Sequence, residues 1–257
     1  MSPPVEPPVS LPAQLAATAH VFAERLDDDV TIDGDDGHHL QRARRVRAGE
    51  TVTVADGYGR WRAYEVAHAG GGAVALTAIT DVAHEPRLTP RLTIACSLTK
   101  GQKPELAVQK LTELGVDRIM LVDAARSVVR WDDDKVTAAF DRLERVAREA
   151  AMQSRRARIP VVDGPVVPAE LCGFPGLVVA DPDGVPAGSL PAPADGEWVV
   201  AVGPEGGFDD HELRDFGTAP RLQVGPFVLR AETAAIAAAA GLAGCRTISS
   251  LPFDRRE

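Results

Sequence analysis

The chain has 257 residues, 45% hydrophobic and 25% charged, which suits one large or two smaller globular domains with a sizeable core. Its net charge of −9 argues against indiscriminate nucleic-acid binding, and no apolar run is long enough to span a membrane. The three cysteines, Cys96, Cys172 and Cys245, sit at no metal-ligand spacing, so the chain is read as metal-free and at home in a reducing, cytoplasmic compartment.

Residues 1–17 begin proline-rich and lack the basic and apolar regions of a signal peptide; they are expected to be a disordered tail. Residues 18–85 read as short alternating strands. ETVTVAD at 50–56 has period two, Asp56-Gly57 turns, and RWRAYEVA at 60–67 reads as its partner strand. Gly70-Gly71-Gly72 turns again before AVALTAIT at 73–80, and this spacing suggests a small β-barrel. Glu85-Pro86 and Thr89-Pro90 punctuate the chain as a linker.

From 90 to 257 the rhythm becomes strand, helix, strand. LTIACSL at 92–98 is a buried strand; Pro104 opens a helix that Gly115 is placed to end; RIMLV at 118–122 is the next strand. Asp132, Asp133 and Asp134 suit a helix N-terminus, and Val136, Phe140, Leu143, Val146, Ala147 and Ala150 follow at helical spacing. Residues 177–180, 199–202 and 222–229 read as further strands, and 231–243 as an alanine-rich helix. The alternation predicts an α/β domain with a mostly parallel sheet covered on both faces.

Three segments carry candidate chemistry. Val202-Gly203-Pro204-Glu205-Gly206-Gly207 closes an apolar strand, where glycines let a ligand approach the backbone. It lacks the spacing of a dinucleotide fingerprint and the Lys-Ser/Thr of a P-loop, and a plain strand-to-helix turn has the same composition. Residues 224–234 (VGPFVLRAETA) pass from strand to helix, with Arg230 ahead of the helix and Glu232 and Thr233 in its first turn, a pattern that ordinary capping shares. The third is a basic and polar set: Lys100, Lys103, Gln109, Lys110, Arg126, and then Glu149, Gln153 and Arg156 about one helical turn apart. Arg42, Arg44, Arg45 and Arg47 form another basic cluster, so an acidic chain still has local cationic faces.

Five stretches together resemble the RsmE family of 16S ribosomal RNA uridine-N3 methyltransferases, within the SPOUT class: 100–116 (KGQKPELAVQKLTELGV), 125–129 (ARSVV), 149–156 (EAAMQSRR), 202–208 (VGPEGGF) and 224–234. His38-His39, Arg45, Gly49 and Asp56-Gly57 match the family's barrel signals. Departures are His20, Ala43-Arg44-Arg45, Leu143 and Met152, which stand where Arg, Val-Leu-Arg, Trp and Glu are expected.

The resemblance implies a trefoil-knotted parallel sheet behind a PUA-like β-barrel, a homodimer, and S-adenosylmethionine (SAM) as cofactor. It implies cofactor contacts at Val179, Ala180, Asp181, Gly203, Pro204, Glu205, Gly206, Gly207, Leu222, Val224, Gly225, Pro226, Phe227, Leu229 and Thr233. Arg230 is then expected to stabilise the anionic uracil oxygens, Glu232 to act as base or orienter, and Glu205 to balance the sulfonium. RNA contacts are expected at Arg42, Arg45, Arg60, Lys100, Lys103, Arg126 and Arg156, with 16S ribosomal RNA of the small subunit as partner. Rival readings from the sequence are an RNA-binding module without catalysis, a knotted methyltransferase acting on transfer RNA, and an unrelated α/β nucleotide enzyme.

Overall fold

The computed structural model describes residues 16–42, 44–97, 99, 101, 103–127 and 133–248. They divide into two compact units, one of residues up to 85 with 152–158, the other of 86–151 with the residues from 159 on. The expected tail lies outside the described residues as far as 15; Ala17, placed at its end, is instead buried.

In the first unit, period-two alternation becomes sheet. Its strands are β1 (Ala19–Phe22), β2 (Asp29–Ile32), β3 (Thr51–Ala55), β4 (Arg60–Gly70), β5 (Ala73–Ala78) and β6 (Ala83–His84). They order as β1-β3-β4-β5-β2, with β6 on β4, and only β1–β3 is parallel. Val21, Leu40, Val52, Val54, Tyr64, Val66, Val74 and Leu76 fill the core. Helix α1 (Gly34–Arg42) has no apolar stripe to announce it, since Leu40 is its one large buried residue. Asp35 and Asp36 in its first turn and Arg42 in its last complement the helix dipole.

Residues 152–158 belong to this unit: 152–154 are the last residues of the long helix, and 155–158 leave the helical continuation read from the sequence. Arg155 takes φ +59°, which ends the helix at Ser154 and removes Arg156 from the face shared by Glu149 and Gln153. Met152 packs against the barrel core, so an apolar residue suits that position. His20 ties the segment down: its Nε2 donates to the Arg156 carbonyl at 3.0 Å, and its Nδ1 pairs with Thr53 Oγ1 at 2.8 Å.

The carbonyl partner fixes His20 as the neutral Nε2–H tautomer. Burial, the largest cause, pulls its pKa from 6.5 down to about 4, with the Arg155 charge adding to the fall and the Arg156 carbonyl opposing it. The unfolded chain therefore takes up a proton near pH 6.5 that the folded barrel refuses until about pH 4. Barrel stability is expected to fall through that window by on the order of 3 kcal/mol. Amide exchange of β1 and β3, compared at pH 7 and 4.5, measures this. His20→Gln should flatten the dependence; equal slopes in both proteins would contradict the assignment.

In the second unit the strands are β7 (Leu88–Thr89), β8 (Arg91–Ser97), β9 (Arg118–Val122), β10 (Val161–Val166), β11 (Leu177–Val185), β12 (Glu197–Val202), β13 (Arg221–Leu222) and β14 (Thr247–Ile248). Six of them form a parallel sheet in the order β10-β9-β8-β12-β11-β13, and β7 pairs antiparallel with β14. The helices are α2 (Lys103–Glu113), α3 (Asp133–Ser154), α4 (Pro168–Leu171), α5 (Asp210–Asp215) and α6 (Ala231–Ala243). Gly115, at φ +82°, follows the end of α2.

The near-continuous apolar strands are explained by burial on both faces. Leu92, Ile94, Cys96, Trp198, Val200 and Val202 point to one core, while Ala95, Val199 and Ala201 point to the other. The first core also takes Val108 and Leu111 of α2, Leu143 and Ala147 of α3, and Ala235, Ala238 and Leu242 of α6. Leu143, fully buried there, fills its position as an aliphatic residue.

The strand expected over 222–229 is not formed; β13 stops at Leu222. Gly225-Pro226 interrupts it, since proline has no N–H for a ladder. Phe227 and Val228 are 81% and 91% exposed, with no sheet neighbour to bury them.

Candidate active site

The site lies at the carboxyl end of β12 and beside it at residues 179–182 of β11, where the pairing of the two strands stops. The chain leaves β12 into Gly203, and Gly207, at φ +69°, closes a turn with its N–H donating to the Pro204 carbonyl at 2.8 Å. Ser97 Oγ donates to the Val202 carbonyl at 3.0 Å and fixes the strand end. Arg126 donates to the carbonyls of Gly206 (2.9 Å) and Phe208 (3.2 Å), so it braces this turn. Behind the turn, Asp209 caps α5 by accepting from the N–H groups of His211 and Glu212, each at 2.8 Å. Glu212 accepts from the Asp209 N–H and, with its other oxygen, from the Ala125 N–H, both at 2.7 Å.

Three segments converge on one cavity of about 240 Å³: residues 179–182 in the middle of β11, the turn after β12 and the segment after β13. Val179, Ala180, Asp181, Gly203, Pro204, Glu205, Gly207, Val224, Gly225, Phe227 and Leu229, all predicted cofactor contacts, line it. Pro182, Val202, Phe208, Leu213, Val228, Ala231 and Ala234 line it too and were missed, because apolar residues beside a turn look like core.

Four predicted contacts do not line this cavity. Leu222 and Pro226 face an adjoining hollow of about 330 Å³ with Ala237, Ala238 and Gly241. Gly206 packs beside the Arg126 side chain. Thr233 is exposed on the first turn of α6.

The lining is mostly apolar side chains and bare backbone. Among the described residues, the N–H groups of Val224, Gly225, Phe227, Val228 and Leu229 have no hydrogen-bond acceptor. Such a lining fits a flat, neutral heteroaromatic ring. Asp181 and Glu205 bring carboxylates to the lining, and Asp181 lies 3.8 Å from Arg221 Nη1.

At the cavity rim, Lys103 joins the two motif segments. Its Nζ donates to Glu205 Oε1 at 3.0 Å and lies 3.6 Å from Glu232 Oε2. The Glu205 hydrogen bond is the chief cause of a raised Lys103 pKa, and Lys103 is the chief cause of a lowered Glu205 pKa. The Arg230 charge acts on both. Lys103, expected on the RNA face, is thus engaged by two carboxylates. Its sequence neighbour Lys100 lies outside the described residues.

Glu232 is buried, and its Oε2 has no hydrogen-bond partner among the described residues. It faces a small recess with Cys96, Ser97, Thr99 and Pro104, not the main cavity. Arg230 precedes α6 as its N-cap residue with an exposed side chain. Of the other expected RNA contacts, Arg42 and Arg45 are exposed, Arg60 is paired with Asp56 at 2.7 Å, and Arg156 is half-buried. Among the described residues, no group of three His, Cys, Asp or Glu side chains is placed to hold a metal ion.

A family model described as an RNA methyltransferase domain matches residues 86–243, and an RNA methyltransferase PUA domain matches 32–79. A curated relative from Mycobacterium bovis, ribosomal RNA small subunit methyltransferase E, is 36% identical over 234 residues, covering 84% of this chain and 86% of its own. The chain belongs to the ribosomal RNA small subunit methyltransferase E family. The Bacillus subtilis family member is 29% identical over 218 residues, covering 79% of this chain and 85% of its own. The crystal structure of the Neisseria gonorrhoeae member, bound to S-adenosyl methionine, superposes with a TM-score of 0.74 at 24% identity, covering 86% of this chain and 95% of its own. The two units of this family member thus have the fold of SPOUT-type methyltransferases with a PUA domain.

Proposed function

We propose that the chain transfers a methyl group from SAM to N3 of a uridine in the 16S ribosomal RNA of the small subunit. The reading includes a cytoplasmic homodimer, a trefoil knot in the methyltransferase domain, and recognition of the RNA by the barrel arginines. The observation that carries it is the convergence of three chain segments on one cavity lined by apolar side chains and glycine-containing backbone.

SAM, when bound, supplies a methyl carbon already activated by its sulfonium, so the protein's work is positioning and charge. The backbone of 224–229 and the turn at 203–207 would hold it, with Val179, Phe208 and Leu229 against its apolar surface. N3 of uridine is on the Watson–Crick edge, so the base enters unpaired. Its N3 proton must pass to solvent water, and negative charge then spreads to the uracil oxygens. The exposed Arg230 guanidinium is suited to meet that charge. Glu232, recessed and beside Lys103, supports the role of orienter over that of direct base. With Glu205 it holds Lys103 at the rim as a second cation.

The positional claim is tested by mass spectrometry of small-subunit RNA nucleosides from a strain lacking the gene. N3-methyluridine should disappear and return on complementation; an unchanged level would refute the assignment.

A further inference from the structure

We propose that the tip of the β3–β4 hairpin is a stacking subsite for one unpaired base of an RNA, with the Tyr58 ring as platform; this rests on the RNA-methyltransferase reading above. Tyr58 is 81% exposed, yet its backbone is held from both sides. Its N–H donates to Asp56 Oδ1 at 2.8 Å, and its carbonyl accepts from Arg158 Nη1. The next residue is held as well: the Gly59 N–H donates to the Ala157 carbonyl at 3.0 Å, and the Gly59 carbonyl accepts from the Glu85 N–H at 2.8 Å. All these groups belong to the first unit.

The flanking glycines, at φ +84° and +105°, are what the turn requires; the tyrosine between them is not. A Cβ at Gly59 would collide with the Arg158 guanidinium, so that guanidinium packs directly on the hairpin backbone. A ring so exposed adds little to the fold, but it is presented on a backbone that need not be ordered on binding. That lowers the entropic cost of using it for contact.

The surroundings favour a nucleotide. The Asp56 side chain is 4% exposed, and its carboxylate is occupied by Arg60 Nε and two main-chain N–H groups. The Arg60 side chain is 55% exposed, so the cation faces solvent while its counter-charge does not. An exposed aromatic ring two residues from a solvent-facing arginine suits single-stranded nucleic acids, where a ring takes a base and a cation a phosphate.

The test is binding of a short fluorescent single-stranded RNA to the full chain across a salt series, with SAM calorimetry on each variant. Tyr58→Ala should weaken RNA binding by roughly 5- to 100-fold, the range for losing one base–aromatic stack. Its slope of log K against log salt should match wild type, whereas Arg60→Ala should lower that slope by about one. Tyr58→Phe should bind like wild type, and SAM binding should be the same in all. Tyr58→Ala binding as well as wild type, Tyr58→Phe losing as much as alanine, or a loss that disappears at low salt would each overturn the subsite. A wild-type chain that binds SAM but no RNA would overturn both the subsite and the RNA reading.

Discussion

Arg230→Ala should lower turnover by roughly 10²–10³-fold while SAM affinity stays within a few-fold. The side chain stands at the N-terminus of α6, exposed, and close enough for its charge to act on both Glu205 and Lys103. A cation there is worth little to a neutral uracil and much to one losing its N3 proton, so its removal should fall on the rate and not on donor binding. Arg230→Lys keeps the charge but loses the planar fork, and should recover part of the activity. Single-turnover kinetics with saturating SAM separates the terms. Turnover within a few-fold of wild type in Arg230→Ala would remove Arg230 from the mechanism.

The second large effect lies at the other end of α6. Arg246 has a fully buried side chain. It is ion-paired with Asp117, donates to the carbonyls of Pro90 and Gly115 at 2.7 Å each, and reaches that of Leu88 at 3.5 Å. It therefore joins the chain entering the sheet, the turn after α2 and the segment leaving α6. Arg246→Ala would leave Asp117 and these carbonyls without their donor, and should cost roughly 3–5 kcal/mol, as for other broken buried pairs. Urea unfolding of the full chain, followed by its tryptophan fluorescence, measures it. Arg246→Lys should lose less, because the charge stays while the fork is lost. A midpoint unchanged in Arg246→Ala would show that water replaces the guanidinium without cost.

Much of this architecture was legible because burial on both faces writes long apolar strands, and because proline and glycine mark where they stop. β9 coincides with the apolar run read from the sequence, and the helix opened by Pro104 forms as α2. Helix α1 was not legible, since it buries one large side chain and packs through glycine. The apolar letters of 222–229 suit a strand, but beyond Leu222 these residues line two cavities from a loop. The end of α3 was misread for a backbone reason, the left-handed Arg155, which no local pattern favours.

The candidate site divides in the same way. The Gly203–Gly207 turn and the 224–229 bend carry their glycines and prolines openly. The roles of Lys103 and Arg126 do not show in sequence, because a basic residue near a helix start looks the same whether it meets a phosphate or a distant carboxylate. Lys103 meets Glu205, more than a hundred residues away, and only the fold makes them neighbours.

Everything turns on whether the three-segment cavity takes up the methyl donor. Titration calorimetry of the full chain with SAM is the direct measurement. Saturable binding at one site per chain, competed by S-adenosylhomocysteine, is the expected result. An absence of saturable heat would contradict it and leave the chain as an RNA-binding protein of methyltransferase fold.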